Sequence, residues 1–362
     1  MFVKSLEVTN FRNYKKQQLE LSNGTHIFTG GNGMGKTNLL EAVYFSSIGR
    51  SPRTPRDKEL ILWDEDKARV NLISEKAAGD EKVEIVISRN ENKRITINGL
   101  PISKIGELMG VINTVFFSPS ELKIVQSSPG ERRSFMDIAL CQISKAYFYL
   151  LSRYGKILQQ RNKLLKSGNA TNDSLDIWDL QLAQIGAKVI KNRKGFLQSL
   201  APLAKENHEF LSDGKESLVI SYEGFSGERL EEIEAAFLKQ LNLDRERDKK
   251  FGFTHAGPHR DDMLLRIGSV DIRTYGSQGQ QRTTALSLKL SELKMFEEMR
   301  GESPVLLLDD VLSELDTTRQ QKLLERVKGV QTLIACTHLE SSVRDLVGAM
   351  CEYRVENGVV YN

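Results

Sequence analysis

The chain is poor in the residues that carry most metal and redox chemistry. Its 362 residues include three cysteines, Cys141, Cys336 and Cys351, and five histidines. The cysteines are scattered and odd in number, which argues against a disulfide framework and reads as reduced, small core residues. Neither residue type recurs at ligand spacing, so no metal cage is expected from them. Long apolar runs are missing as well: no stretch approaches the roughly 18 residues needed to span a bilayer. The N-terminus, MFVKSLEVTNFRNY, alternates like a strand where a secretory leader would carry an apolar block. The expected location is therefore the cytoplasm, with no membrane partner. A net charge of one sign is also lacking, since 51 Lys and Arg stand against 48 Asp and Glu. Total charge selects no partner, and local charge has to be read instead.

What is present is an ordinary globular composition, 40% hydrophobic and 27% charged. The chain is long enough for two domains, one able to sit inside the other. LEVTNF, QQLELS and THIFTG read as strands leading into a helix at 35–46. ARVNLIS, KVEIVIS and KRITING alternate as antiparallel strands, with Asn98-Gly99 as a hairpin turn, and GVINTVFFS is a continuous apolar run fit for a buried strand. From Pro129 to Asn207 the period changes. Ile143, Tyr147, Leu150, Tyr154 and Ile157 recur at four and three, which is one helix face. SGNATNDS (167–174) interrupts it, and Asp173 or Ser174 is placed to cap the next helix. Strands return after Ser217, and helices and strands then alternate to the end. The expectation is an α/β chain: a P-loop head with a mixed sheet and antiparallel N-terminal strands, over 1–128 and 215–362, interrupted by a helical arm over 129–214.

GGNGMGKT (30–37) fits G-x-x-x-x-G-K-[ST], and it follows a strand and opens a helix. Gly30, Gly31, Asn32, Gly33, Met34 and Gly35 let successive N–H groups face one phosphate, and the helix N-terminus adds partial positive charge. Lys36 reaches the β- and γ-phosphates of ATP, the Thr37 hydroxyl ligates Mg²⁺, and Asn38 continues the first turn. SPVLLLDDVLSELD (303–316) supplies the partner: a buried strand ends in two carboxylates. Asp309 is read as the second holder of Mg²⁺ and Asp310 as the group that orients or deprotonates the attacking water.

A third segment, YGSQGQQRT (275–283), runs directly into a strongly helical stretch. A P-loop, then a Ser-Gly-Gln helix start, then an apolar strand ending in Asp-Asp resembles the layout of ABC ATPases. The resemblance implies that Ser277 and Gly279, with Gln278 and Gln280 nearby, meet the γ-phosphate of a nucleotide held by another head. A plain N-cap by Ser277 uses the same unpaired N–H groups. It further implies that SELD (313–316) touches the opposite site, that His338 at the end of LIACTH contacts the γ-phosphate, and that Arg12 is an additional nucleotide contact. The 238 residues between Thr37 and Tyr275 exceed the spacing of a transporter head and fall far short of an SMC coiled coil. TNFRNY (9–14), RTPRDKELI (53–61), FFSPSELKIVQSSPGERRSFMD (116–137) and HAGPHRDD (255–262) complete the pattern. With them the whole chain resembles the RecF family of SMC-like ATPases. Two departures from the wider ABC pattern stand out: Asp310 where a Glu is usual, and Ser118 after Phe117 where a Gln would fall.

The family implies an ATP-dependent head-to-tail homodimer that binds DNA at gaps or junctions, along the duplex part. It also implies work with RecR and RecO in loading RecA during recombinational repair, slow DNA-stimulated hydrolysis, and association with the nucleoid. Local charge offers DNA surfaces. Residues 151–200 carry nine Lys and Arg against three Asp, a net +6. Arg153, Lys156, Arg161, Lys188 and Arg193 are the candidates on the arm, and Arg50, Arg53 and Arg56 those after the P-loop helix. THAGPHRDD looks like a catalytic cluster, but two adjacent acids are too few for a nuclease, and a structural turn is the better reading. A transporter-type motor and a small-molecule kinase are the rivals. The first predicts no DNA affinity. The second predicts activity that survives Ser277→Arg.

Overall fold

The computed structural model describes residues 1–338 and 350–361. In chain order the strands are β1 (Phe2–Phe11), β2 (Tyr14–Glu20), β3 (Thr25–Thr29), β4 (Lys67–Lys76), β5 (Gly79–Ser88), β6 (Arg94–Ile97), β7 (Leu100–Pro101), β8 (Thr114–Phe117), β9 (Leu218–Glu223), β10 (Asp262–Ile267), β11 (Val270–Asp271), β12 (Val305–Asp309), β13 (Thr332–Cys336), β14 (Met350–Glu356) and β15 (Val359–Tyr361). The helices are α1 (Lys36–Ile48), α2 (Lys123–Gln126), α3 (Pro129–Ile143), α4 (Lys145–Lys166), α5 (Asn172–Leu211), α6 (Leu230–Phe251), α7 (Ile272–Tyr275), α8 (Gln278–Arg300) and α9 (Thr317–Arg326).

The chain folds as two compact units, residues 1–122 with 286–362, and residues 123–285. The first holds two six-stranded sheets. One is antiparallel, in the order β2-β1-β4-β5-β6-β7, and its alternating strands bury one face. Asn98 and Gly99 both take left-handed backbone at the β6–β7 turn, as a two-residue hairpin requires. The other has the order β15-β14-β3-β13-β12-β8. Its five strands from β14 to β8 run parallel, and β15 pairs antiparallel at the edge. VLLLD and TLIAC are buried throughout, the continuous pattern of parallel strands covered on both faces. Helix α1 packs against strands of both sheets and is buried nearly all round through Leu39, Leu40, Val43, Tyr44 and Phe45.

The second unit is helical, with the three-stranded antiparallel sheet β11-β10-β9. Its axis is the 40-residue α5, packed along α4, α6 and β9. Gly186 is needed there, because a Cβ would come within 2.4 Å of the Phe237 ring. Three details differ from the sequence reading. The Ile143–Ile157 face is split, since Ser144 ends α3 and caps α4 by accepting from Tyr147 N. Thr171 caps α5, accepting from Ser174 N, so Asp173 lies inside the first turn, where its charge suits the helix dipole. The helical unit also extends beyond the expected 129–214. Segment 215–285 groups with it because β9 packs on α5, and α6 lies along α5.

Candidate functional site

The site is built at the carboxyl ends of the parallel strands, where open α/β sheets hold ligands. β3 feeds the loop 30–35 and then α1. β12 ends in Asp309, and β13 leads to Thr337 and His338. The registers place Thr29 beside Cys336 and Asp309 beside Ala335. Thr37 and Asp309, 272 residues apart in sequence, meet: the Thr37 hydroxyl donates to Asp309 Oδ1 at 2.6 Å. Lys36 Nζ donates to the carbonyls of Gly30 and Gly31 at 2.8 Å each, so the lysine folds over the loop it belongs to. Two glycines of this loop are obligatory. Gly30 takes φ 150° with Val355 O where a Cβ would be, and Gly35 takes φ 122° against Asn13 and Tyr14.

Burial, and then the neighbouring charge of Asp310, raise the Asp309 carboxyl above its ordinary range, against the Thr37 bond and the charges of Arg53 and Lys36. Two hard oxygen donors in bonding contact, one on a buried carboxylate beside the second carboxylate of Asp310, fit a small divalent cation such as Mg²⁺. Asp310 has φ 53°, an uncommon conformation for a non-glycine residue, and its N–H donates to Ala335 O. Cys336 below it is buried, and burial with the Asp310 charge pushes its thiol up to about 11, which keeps it inert. Cys141 is buried as expected. Cys351 is exposed near the start of β14 and is not a core residue, although Tyr353 and Val355, on the same face of the strand, are buried.

A hydrogen-bonded chain that the motif reading did not foresee supports the loop. Asn13 Nδ2 donates to Met34 O, and Asn38 Nδ2 donates to Asn13 Oδ1. Arg53 Nη1 donates to Asn38 Oδ1. Glu41, on the next turn of α1, is fully buried and accepts two bonds from Arg12, at 2.7 and 2.8 Å, and one from Ser51. Arg12 therefore meets the phosphate-loop helix through Glu41. Arg53, read from sequence as a DNA contact, is bonded to the same helix. The available signal was a lone carboxylate inside the apolar run LLEAVYF.

The Ser-Gly-Gln segment belongs to the other unit. Ser277 Oγ accepts from Gln280 N and Gln280 Oε1 accepts from Ser277 N, a reciprocal cap that closes the start of α8. Gln280 Nε2 donates to Glu216 Oε1, and Gln281 Nε2 to Ile272 O. Ser277, Gln278 and Gly279 are exposed, and Tyr275 is 77% exposed. In the first unit, Ser313 Oγ donates to Asp310 O, and Asp316 caps α9. Ser118 is buried and bonded to Ser120, and His338 is exposed.

Two of the expected DNA contacts are overturned. Arg161 is 0% exposed and bonds Asp179 and Asp248 at 2.6 Å each, joining α4, α5 and α6. Arg193 is buried, paired with Asp137 through two bonds and with Pro258 O. An arginine in a basic run can serve as an internal tie when acids on neighbouring helices face it, and sequence order hides those acids. Arg50, Arg56, Arg153, Lys156 and Lys188 are exposed.

THAGPHRDD forms a turn held by internal partners. His255 bonds Asp248, His259 lies between Tyr154 OH and Thr254 O, and Asp262 takes two bonds from Arg132. Among the described residues no group of three or more His, Cys, Asp or Glu is gathered for a metal, and no helix is long and apolar enough to cross a membrane.

Comparison with known proteins matches this geometry. A family model described as the RecF/RecN/SMC N terminal domain covers residues 2–358. "DNA replication and repair protein RecF" of Clostridium perfringens (strain 13 / Type A) is 43% identical over 358 residues, 99% of each chain. Its counterpart in Clostridium botulinum (strain Eklund 17B / Type B) is 41% identical over all of both chains. The solved structure of the recombination mediator RecF with ATP, in the RecFOR pathway, superposes with a TM-score of 0.93 at 38% identity, covering 99% of this chain and 97% of that one. An SMC head bound to the C-terminal winged-helix domain of ScpA shares the fold, with a TM-score of 0.59 at 15% identity.

Proposed function

Because the chain belongs to the RecF family of SMC-like ATPases, we propose that it is an ATP-gated DNA clamp of replication and recombinational repair. Two copies share ATP head to tail, close on the duplex part of gapped or junction DNA, and reopen after slow, DNA-stimulated hydrolysis. With RecR and RecO they prepare single strands for RecA, at the nucleoid in the cytoplasm. The observation that carries the reading is the meeting of Thr37 with Asp309 beside the glycine loop.

In this reading the loop N–H groups, Gly30 to Gly35, hold the phosphates together with Lys36, which exchanges its carbonyl partners for phosphate oxygens. Thr37 and Asp309 would hold Mg²⁺, which neutralises phosphate charge when bound. Asp310 accepts a proton from the attacking water, and its arm, shorter than that of Glu, keeps turnover slow. Ser277 and Gly279 reach the γ-phosphate of the partner copy, for which their exposure on the start of a long helix is suited. His338 and Arg12 complete the nucleotide surroundings, Arg12 through Glu41. Arg50, Arg56, Arg153, Lys156 and Lys188 are the remaining DNA contacts. Arg53 is bonded to the phosphate-loop helix and is better suited to link DNA contact to nucleotide.

Light scattering on Asp310→Asn tests the scheme. Mass should double on adding ATP and Mg²⁺, and duplex DNA should bind the doubled species. A monomer under every condition, with ATP bound, would sink the shared site.

A further inference from the structure

Glu216 stands in the connection from α5 to β9 and takes no part in the chemistry above, yet its side chain touches the start of α8. Its backbone is fixed first. Asp213 and Gly214 take left-handed backbone, with φ 56° and 71°, and fold the chain back on the last turn of α5. Gly214 N donates to Glu209 O at 2.8 Å, and Ser217 Oγ to Glu209 Oε1 at 2.9 Å. The Ser212 hydroxyl accepts from Glu216 N and donates to Glu216 O, both at 3.3 Å.

The side chain then spans two elements. Oε2 meets Nε2 of His208, a residue of α5 whose side chain is fully buried, at 3.2 Å. Oε1 accepts from Gln280 Nε2 at 2.8 Å. A carboxylate present only to satisfy the buried histidine would need one oxygen. The second oxygen is committed to Gln280, and by the shorter bond.

Gln280 is the residue that closes the cap of α8. Its Oε1 accepts from Ser277 N at 2.9 Å, while its own backbone N–H donates to Ser277 Oγ at 3.2 Å. The two ends of a glutamine amide have nearly the same shape, and their partners tell them apart. A carboxylate accepts and does not donate, so Glu216 draws the amide nitrogen and leaves the oxygen for Ser277 N. Without it the amide can turn end for end and set a donor against a donor. With it, Ser277 Oγ is an acceptor within the cap, and its own proton is left to point away from the helix start.

We propose that Glu216 is a positioning residue of the shared ATP site: through Gln280 it holds Ser277 with its O–H free to donate to the γ-phosphate bound by the partner copy. The inference rests on the shared-site reading above. Light scattering over a range of protein concentrations, with ATP and Mg²⁺ in the Asp310→Asn background, gives the dimerisation constant. Glu216→Ala and Glu216→Met, the second keeping the side-chain volume and with it the turn, should both weaken the dimer. Loss of one hydrogen bond to a charged group is worth roughly tenfold, and a head-to-tail dimer counts it twice, so the expected loss is about a hundredfold. Glu216→Gln keeps an acceptor for Gln280 and should recover most of it. ATP binding in equilibrium dialysis should be unchanged in all three, because Lys36 and its loop are untouched. Ser217→Ala is the control: it removes another tie of the same turn, to Glu209, and should dimerise as the parent does.

The proposal is overturned if Glu216→Ala and Glu216→Met dimerise like the parent, if Glu216→Gln is as poor as Glu216→Met, or if Ser217→Ala weakens the dimer equally. Should Ser277→Arg in the same background still double in mass with ATP, the shared site itself falls, and the role of Glu216 with it.

Discussion

Lys36, Thr37, Asp309 and Asp310 form one cluster, yet their replacement should give different defects. Lys36→Ala removes the cation proposed to neutralise phosphate and should abolish ATP binding in dialysis. Asp310→Asn leaves that machinery intact and should bind ATP normally while losing hydrolysis by about 10²–10⁴-fold, the usual scale for a general base. Equal loss of binding in both would refute the division of roles. Two buried groups of the second unit make a pH prediction. Burial raises the Asp261 carboxyl to about 6, against the hydrogen bond from Tyr222. Burial lowers His259 to about 4, where Tyr154 OH and Thr254 O satisfy its neutral ring. The Asp261 contribution to stability is complete below the ordinary carboxylate pKa and is lost as pH rises through about 6. That of His259 is complete above 6.5 and is lost as pH falls to about 4. Each is on the order of 3 kcal/mol, and they oppose one another between pH 4 and 6. Urea midpoints should therefore change little with pH in the wild type from these two groups. Asp261→Asn should become less stable toward pH 4, and His259→Gln less stable toward pH 6. Flat profiles for both variants would remove these groups from the account.

At the scale of elements, the basic run of α4 and α5 divides into ties and exposed cations. Arg161→Ala removes the cation shared by two buried carboxylates, leaving Asp179 only Arg245 and Asp248 only His255, and should cost about 3 kcal/mol in urea unfolding. Lys156→Ala and Lys188→Ala should leave stability unchanged and reduce the salt dependence of DNA binding by about one counterion each. An unchanged salt slope would take these lysines off the DNA surface. At the start of α8, Ser277→Arg should block ATP-driven doubling of mass while leaving ATP binding through Lys36 intact. Most of these elements were legible in the sequence. The glycine loop, the strand VLLLD and the Asn98-Gly99 turn each carry their local physics in a few adjacent residues. The buried ties were not legible, because Arg161 meets Asp248 only after α6 has folded back along α5. The break at Ser144 was hidden too, since the apolar period runs on through it while the backbone does not.

For the whole molecule, the outline was legible where it depends on order along the chain and lost where it depends on packing. The extent of the helical unit was misjudged because β9 and α6 have ordinary sequences whose partner is α5, and β10 joins the unit by pairing with β9. The role of Glu41 was missed because Arg12, Ser51 and Arg53 converge on it from separate segments. Strand order in the parallel sheet has one more consequence, for the birth of the protein. β3 pairs with β13 and β14, and β8 with β12, so strands made early find their neighbours only in the last part of the chain. At roughly 5–20 residues per second, β3 waits tens of seconds on the ribosome for its partners. A nascent or stalled chain therefore presents unpaired apolar strands to chaperones and cannot assemble Thr37 with Asp309, so ATP chemistry begins only once synthesis is nearly finished.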